Sequence, residues 1–194
     1  IYIDITVFSV VGRVLSLRVI SGIRRGLKLT APEGADTRPT ADRVKEALFN
    51  IIQYNVPAES VLDLFSGSGA LGIEALSRGC EHCVFTDISV AAVKLTKSNL
   101  VRAHFEDKAE VLQCTALDFL KQCKTKFDII FIDPPYNRGF LEPAISSIHS
   151  GGLLKTGGLI AVETERGGEA VPDSYYPIKK TSAYGKTAIT ILQG

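Results

Sequence analysis

The sequence predicts a doubly wound α/β domain: a mostly parallel seven-stranded sheet with an antiparallel final pair, preceded by a small β-hairpin and helix extension. Three observations predict it. From residue 60 onward, short continuous apolar runs alternate with helically spaced stretches, the mark of a parallel sheet covered on both faces. A glycine-rich turn follows the first of these runs, where a strand hands over to a helix. The tail reads as two strands back to back.

The extension occupies residues 1–58 and the sheet domain residues 59–194. Within the extension, "LRVISGIRRGLKLTAP" alternates apolar and polar residues around Gly22 and Gly26, as a hairpin would. "TRPTADRVKEALFNII" reads as a helix beginning near Thr40, with Val44, Leu48, Ile51 and Ile52 on one face. The sheet domain then runs through "SVLDLF" as a strand, "ALGIEALSRG" as a helix stopped by Gly79, and "HCVFTD" as a second buried strand. "SVAAVKLTKSNLVRA" follows as a helix, "AEVLQC" as a strand, "LDFLKQC" as a short helix and "FDIIFID" as the most apolar strand. Beyond Gly139 to Ser150, which carries no assigned element, come "GLIAVET" and the final pair in "YPIKKTSAYGKTAITIL".

Composition excludes the disordered and fibrous classes, since 45% of the residues are hydrophobic and 22% charged. The net charge of +1 hides an asymmetry: residues 1–45 hold eight Lys and Arg against four Asp and Glu, and the remainder fourteen against seventeen. Positive charge gathered at one end is either a solvated face or an anchor for phosphate, most simply nucleic acid. Cys80, Cys83, Cys114 and Cys123 contain one C-x-x-C but no second zinc half-site, so they are read as structural and no metal is expected. The opening "IYIDITVFSVVG" carries Asp4 and lacks a basic leader or a spanning run, which argues against export and membrane insertion.

The turn "VLDLFSGSGALG" contains Gly67-x-Gly69-x-x-Gly72, which as a pattern alone suits a nicotinamide or flavin dinucleotide as well as other ligands. Its neighbours discriminate. Glycines permit a tight turn and let backbone N–H groups approach a ligand. Asp63, at the end of the first strand, would repel a pyrophosphate and suit a cation such as the ammonium of a methionine moiety. Asp87 ends the second strand, where an acid accepts both hydrogen bonds of a ribose diol; that fits either cofactor.

The fourth strand ends in Asp133-Pro134-Pro135-Tyr136. Two prolines stiffen the backbone, so the Asp133 carboxylate and the Pro134 carbonyl form a rigid pair of acceptors for an exocyclic amine. Tyr136 offers a face on which a nucleobase stacks.

These motifs carry a resemblance. D-x-F-x-G-x-G at Asp63 to Gly69 is similar to the first motif of class I S-adenosylmethionine-dependent methyltransferases, whose fold is Rossmann-like, and Asp133 to Tyr136 matches the [D/N]-P-P-[Y/F] motif of amino-methyltransferases. With "RVISGIRRGLKLTAPEGADTRPTADRVKEALFNII" and the late "YGKTAITIL", the chain from about Arg18 to Leu192 resembles the bacterial 16S rRNA guanine-N2 methyltransferase family of the small-subunit methyltransferase D type. The resemblance implies methyl transfer from S-adenosylmethionine to N2 of one guanine in 16S rRNA, within an assembled 30S subunit, by a monomer. It implies cofactor contacts from Asp63, Phe65, Gly67, Gly69, Asp87, Ile88, Thr115 and Ala116, with Arg38 and Thr40 beside cofactor and base. Arg18, Arg24, Arg25, Lys28 and Arg43 would meet RNA, while Asp133, Pro134 and Tyr136 perform the chemistry. Relatives often carry Asp or Asn near Thr115, so this chain departs from the pattern at the adenine edge. The compartment implied is the cytoplasm, or an organelle with bacterial-type ribosomes. The rival readings are adenine-N6 methylation of DNA or RNA, glutamine methylation in a protein, which usually carries Asn at Asp133, and a non-catalytic RNA-binding assembly factor.

Overall fold

The computed structural model describes residues 17–32 and 39–194. The opening apolar stretch, Arg38 and the side chain of Thr40 lie outside the described residues.

Helix α1 (Pro39–Ile51) leads into β1 (Ser60–Asp63), α2 (Ala70–Ser77), β2 (His82–Asp87), α3 (Val90–Ala103), β3 (Ala109–Gln113) and α4 (Ala116–Gln122). Then follow β4 (Phe127–Ile132), α5 (Leu141–Gly151), β5 (Leu154–Glu165), β6 (Ile178–Tyr184) and β7 (Thr187–Gln193). The seven strands lie in the order β3-β2-β1-β4-β5-β7-β6. β1 to β5 are mutually parallel, and β7 inserts antiparallel between β5 and β6. The predicted sheet, including its antiparallel final pair, is therefore the observed one. The strand order reverses between β1 and β4, which opens a crevice beyond their carboxyl ends.

Side-chain caps explain two of the helix starts. The Ser89 side chain accepts from Ala92 N–H and starts α3, and Thr115 caps α4 by accepting from Asp118 N–H. Helix α5 fills the interval for which the sequence predicted no element; its Pro143 sits in the first turn, where the missing N–H costs nothing. Strand β5 starts at Leu154, ahead of the apolar run at Gly158, because pairing with β4 begins at Phe127↔Leu154 and resumes at Ile129↔Leu159 across an irregularity.

Two apolar layers flank the sheet. One packs Ile129, Phe131, Leu159 and Ala161 against Val44, Leu48, Phe49 and Ile52 of the α1 region, with Ile51 half-buried beside them. The other sets Ile130, Ile132, Ile160 and Val162 against α4 and α5. Because successive strand residues face opposite ways, β4 and β5 each serve both layers.

The predicted hairpin forms as a minimal ladder, with Val19 N–H donating to Leu27 O at 2.9 Å, Leu29 N–H to Leu17 O at 2.7 Å, and a bridge between Arg18 and Lys28. It is held by α2. The carboxylate of Glu74, fully buried, accepts from Ile20 N–H at 2.7 Å and Ser21 N–H at 2.9 Å, while Arg78 Nε donates to it at 2.8 Å and Lys45 Nζ lies 3.6 Å away. Ser77 Oγ donates to Ser21 O at 2.6 Å and accepts from Arg24 N–H. Burial pulls the Lys45 amine below its ordinary value, with Glu74 and Asp42 opposing the shift.

Candidate functional site

The carboxyl ends of β1, β2, β4 and β5 bring Asp63, Asp87, Asp133 and Glu163 to one edge of the sheet. Val61, Phe131 and Ala161 all face the layer under α1. Two residues further along an extended chain returns to the same face, so Asp63, Asp133 and Glu163 converge there.

Asp63 is buried, and its Oδ2 accepts from Gly72 N–H at 3.0 Å, tying β1 to the first turn of α2. Burial pushes its carboxyl up to about 7; the Gly72 bond opposes this and the Asp87 charge adds to it. Asp87 accepts from Gly67 N–H at 2.9 Å through Oδ2 and from Ser89 N–H at 2.8 Å through Oδ1. Ile88 beside it is 69% exposed, a bare apolar face next to an acid.

The glycine turn differs from expectation in one respect. Gly67 N–H is spent on Asp87, and Gly69 N–H on Ser66 O at 2.6 Å, so neither is left for a ligand phosphate. Gly69 holds φ +77°, and a Cβ there would lie 2.9 Å from Thr96 Cγ2; a Cβ on Gly72 would lie 2.2 Å from the Phe85 ring. These two glycines serve backbone conformation and helix-to-strand packing rather than phosphate approach. The turn is fastened from behind: Thr96 Oγ1 donates to Gly67 O at 3.1 Å, and Asn99 Nδ2 donates to Ser68 O and to Thr30 O, both at 2.9 Å. Thr30 N–H returns a bond to Asn99 Oδ1 at 2.8 Å, so a single buried asparagine joins the turn to the extension. The sequence marked neither residue, since a polar side chain in mid-helix looks solvated until its neighbours are known. Ser66 Oγ is buried in the turn with no partner among the described residues.

At the end of β4, Asp133 is partly covered and Pro134 buried. Burial, then the charges of Glu163 and Asp63, raise the Asp133 carboxyl well above the ordinary range. Tyr136, 41% exposed, donates its hydroxyl to Glu163 Oε1 at 3.1 Å. Burial and the nearby acids make that phenol harder to ionise. The following loop is strapped down: Asn137 Nδ2 donates to Glu165 Oε2, and Asn137 Oδ1 accepts from Glu169 N–H. Phe65 and Phe140 pack with ring centroids 5.8 Å apart, closing the floor between the first and fourth strand ends.

Other predicted positions fall less simply. Thr115 Oγ1 donates to Asp118 Oδ2 at 2.6 Å and accepts from Asp118 N–H at 3.0 Å, so its hydroxyl is engaged in capping α4; Ala116 is buried beside it. Arg24 Nε donates to Ala103 O at 2.6 Å, with its guanidinium over the Phe105 ring, so Arg24 docks the hairpin onto α3. Arg18 pairs with Asp42 at 3.1 Å. Arg25, Lys28 and Arg43 stand exposed. Cys80 and Cys83 are buried free thiols whose ionisation burial disfavours, in keeping with a structural reading. Among the described residues, no group of three or more His, Cys, Asp and Glu could hold a metal, and no helix is long and apolar enough to cross a membrane. A cavity of about 210 Å³ lined by Ile52, Leu159, Lys179 and Gln193 opens toward the opposite end of the strands.

The set fits S-adenosylmethionine: a buried acid for a cation, an acid at the ribose position of β2, a bare apolar face beside it, and an unpartnered hydroxyl in the turn. A dinucleotide's pyrophosphate would meet Asp63 and no free Gly67 or Gly69 N–H.

The family model described as "Conserved hypothetical protein 95" matches residues 17–193. A relative called ribosomal RNA small subunit methyltransferase D, from Haemophilus influenzae, is 36% identical over 180 residues, covering 91% of this chain and 93% of its own length. The protein of that name from Escherichia coli K12 is 40% identical over 149 residues, with 77% and 75% covered. The solved yhhF structure from Escherichia coli superposes with a TM-score of 0.80 at 37% identity, over 92% of this chain and 97% of that one.

Proposed function

The chain belongs to the conserved hypothetical protein 95 family, and from that membership we propose that it transfers a methyl group from S-adenosylmethionine to the exocyclic N2 of one guanine in 16S rRNA, within the assembled small subunit. Its fold is the Rossmann-like class I methyltransferase fold. The observation that carries the reading is the convergence of Asp63 and Asp133 on one face of the crevice, one acid suited to a cation and the other to an amine.

The cofactor supplies an electrophilic methyl on a sulfonium, already activated for displacement. Asp63 would hold its ammonium and Asp87 its ribose, with Ile88, Phe65 and Ala116 as apolar walls and Thr115 at the adenine edge. By resemblance Arg38 and Thr40 would lie beside cofactor and base, and Arg43 of α1 toward RNA. The target base leaves its stack to enter the crevice and lies against Tyr136. Asp133 and the Pro134 carbonyl accept from the two N2 hydrogens and turn the nitrogen lone pair toward the methyl, so that alignment supplies most of the rate. An Asp133 carboxyl held above its ordinary range is also a better base than a solvated one when N2 loses its proton. The location follows the substrate, in whichever compartment holds the bacterial-type ribosome.

Incubation of tritiated S-adenosylmethionine with unmethylated naked 16S rRNA and with unmethylated 30S subunits, followed by nucleoside analysis, tests the reading. Label in N2-methylguanosine from the subunits is the expected result. Label in N6-methyladenosine would move the chain to the adenine rival, and no label with cofactor binding intact would favour an assembly factor.

Two further results are expected. Without ligand, Asp63 carries its proton up to about pH 7, and an ammonium pairs only with the ionised form. Cofactor affinity should therefore rise as pH rises through about 7, then decline as the ligand's α-amine loses its proton near about 8. Calorimetry of wild type and Asp63→Asn reads this directly; a wild-type affinity that is flat over the interval refutes the pairing. On the hairpin, Arg25→Ala with Lys28→Ala should lower the slope of log affinity against log salt by about 2, roughly one for each phosphate no longer neutralised. An unchanged slope would remove the hairpin from the RNA interface, whereas Arg24→Ala is expected to act through stability.

A further inference from the structure

Among the described residues, Glu163 is the one acid at the crevice to which the proposed chemistry gives no task. It stands on β5 one residue past the Ile132↔Val162 pair, beside Asp133, which directly follows β4 and feels the Glu163 charge. Its Oε1 accepts from the Tyr136 hydroxyl at 3.1 Å; its Oε2 has no hydrogen-bond partner among the described residues. The residue as a whole is partly covered, burial raises its carboxyl, and Ile189 of β7 lies opposite it in the ladder. Thus one oxygen fixes the stacking ring while the other remains beside the amine-binding pair.

The two candidate bases present different edges there. Guanine carries N1–H directly next to its N2 amine, two adjacent donors; adenine carries a lone pair on N1 next to its N6 amine. An ionised carboxylate only accepts hydrogen bonds. With both carboxyls ionised, Asp133 on the amine and Glu163 beside it complement a donor–donor edge and repel a lone pair; burial raises the Glu163 carboxyl, so the discrimination belongs to the alkaline side of its titration.

We infer that Glu163 is the specificity residue of this site, accepting N1–H of the target guanine through Oε2 while Oε1 orients Tyr136. This rests on the guanine reading proposed above. The interaction discriminates by base edge, which a purely structural role would not do.

The test compares 30S subunits reconstituted with guanine or with 2-aminopurine at the nucleotide the wild-type enzyme labels. 2-Aminopurine keeps the N2 amine but has a bare N1 and no O6, so the change of the ratio on substituting Glu163, and not the wild-type preference alone, reads the N1 contact. Wild type is expected to prefer guanine by roughly 10- to 100-fold in kcat/KM, the scale of one hydrogen bond to a charged group. Glu163→Gln, whose amide can donate to a bare N1, should lower the guanine rate and narrow that ratio with cofactor affinity unchanged. Glu163→Asp should restore part of the preference, and Tyr136→Phe should slow both substrates while keeping the ratio. If Glu163→Gln slows both substrates equally, or if Tyr136→Phe narrows the ratio as much, Glu163 acts only through the ring and the inference fails. If wild type yields N6-methyladenosine, the guanine reading fails and this one with it; N2-methylguanosine with an unmoved ratio overturns this one alone.

Discussion

Asp133→Asn is expected to lower turnover on the ribosomal substrate by about 10²- to 10⁴-fold, the range of a positioned acid–base group, while leaving the cofactor dissociation constant unchanged. The substitution keeps the shape of the Asp133-Pro134-Pro135-Tyr136 turn but replaces one acceptor for the amine with a group that cannot take its proton. The wild-type pH profile follows from the same residue. Burial and two neighbouring acids raise its carboxyl, so activity should climb as pH rises and Asp133 ionises. Asp133→Asn should flatten that climb. Single-turnover rates and calorimetric cofactor titrations, run on the same preparations, separate the two effects. Equal loss of cofactor affinity and of rate would show that Asp133 builds the crevice rather than acting in it.

Glu74→Ala should cost about 3–5 kcal/mol of unfolding free energy, the scale of breaking a buried ionic network from one side. Glu74 is the hub between α2 and the extension, receiving Ile20 N–H, Ser21 N–H and Arg78 Nε, with Lys45 at 3.6 Å. Truncating it leaves two backbone donors unpaired and the buried Lys45 amine with only the Arg18 carbonyl at 2.6 Å and the charge of Asp42. Urea unfolding measures the loss, and faster hydrogen exchange at Ile20 and Ser21 would show the hairpin coming away first. A cost under about 1 kcal/mol, typical of exposed ion pairs, would mean that the apolar packing of Val19 and Leu29 holds the extension instead.

By itself the sequence determined the order of strands and helices from residue 60, the placing of the glycine turn after β1, and the acid–proline–proline–tyrosine turn after β4. Those features are local: apolar runs, helical spacing and glycines write themselves into a short window of chain. Helix α5 escaped because its serines and early proline mimic a loop until Leu141, Ala144, Ile145 and Ile148 are seen buried together. Only the tertiary structure decided what each site residue touches. That Gly67 and Gly69 spend their N–H groups on Asp87 and Ser66, that Arg24 docks on the end of α3, and that Glu74 holds the hairpin depend on contacts between residues far apart in sequence. The neighbourhood of Asp133 and Glu163 is the clearest case. Thirty positions of chain separate them, and it is the parallel register of β4 against β5 that sets their carboxyls side by side, because in-register strands present matching residues to the same face.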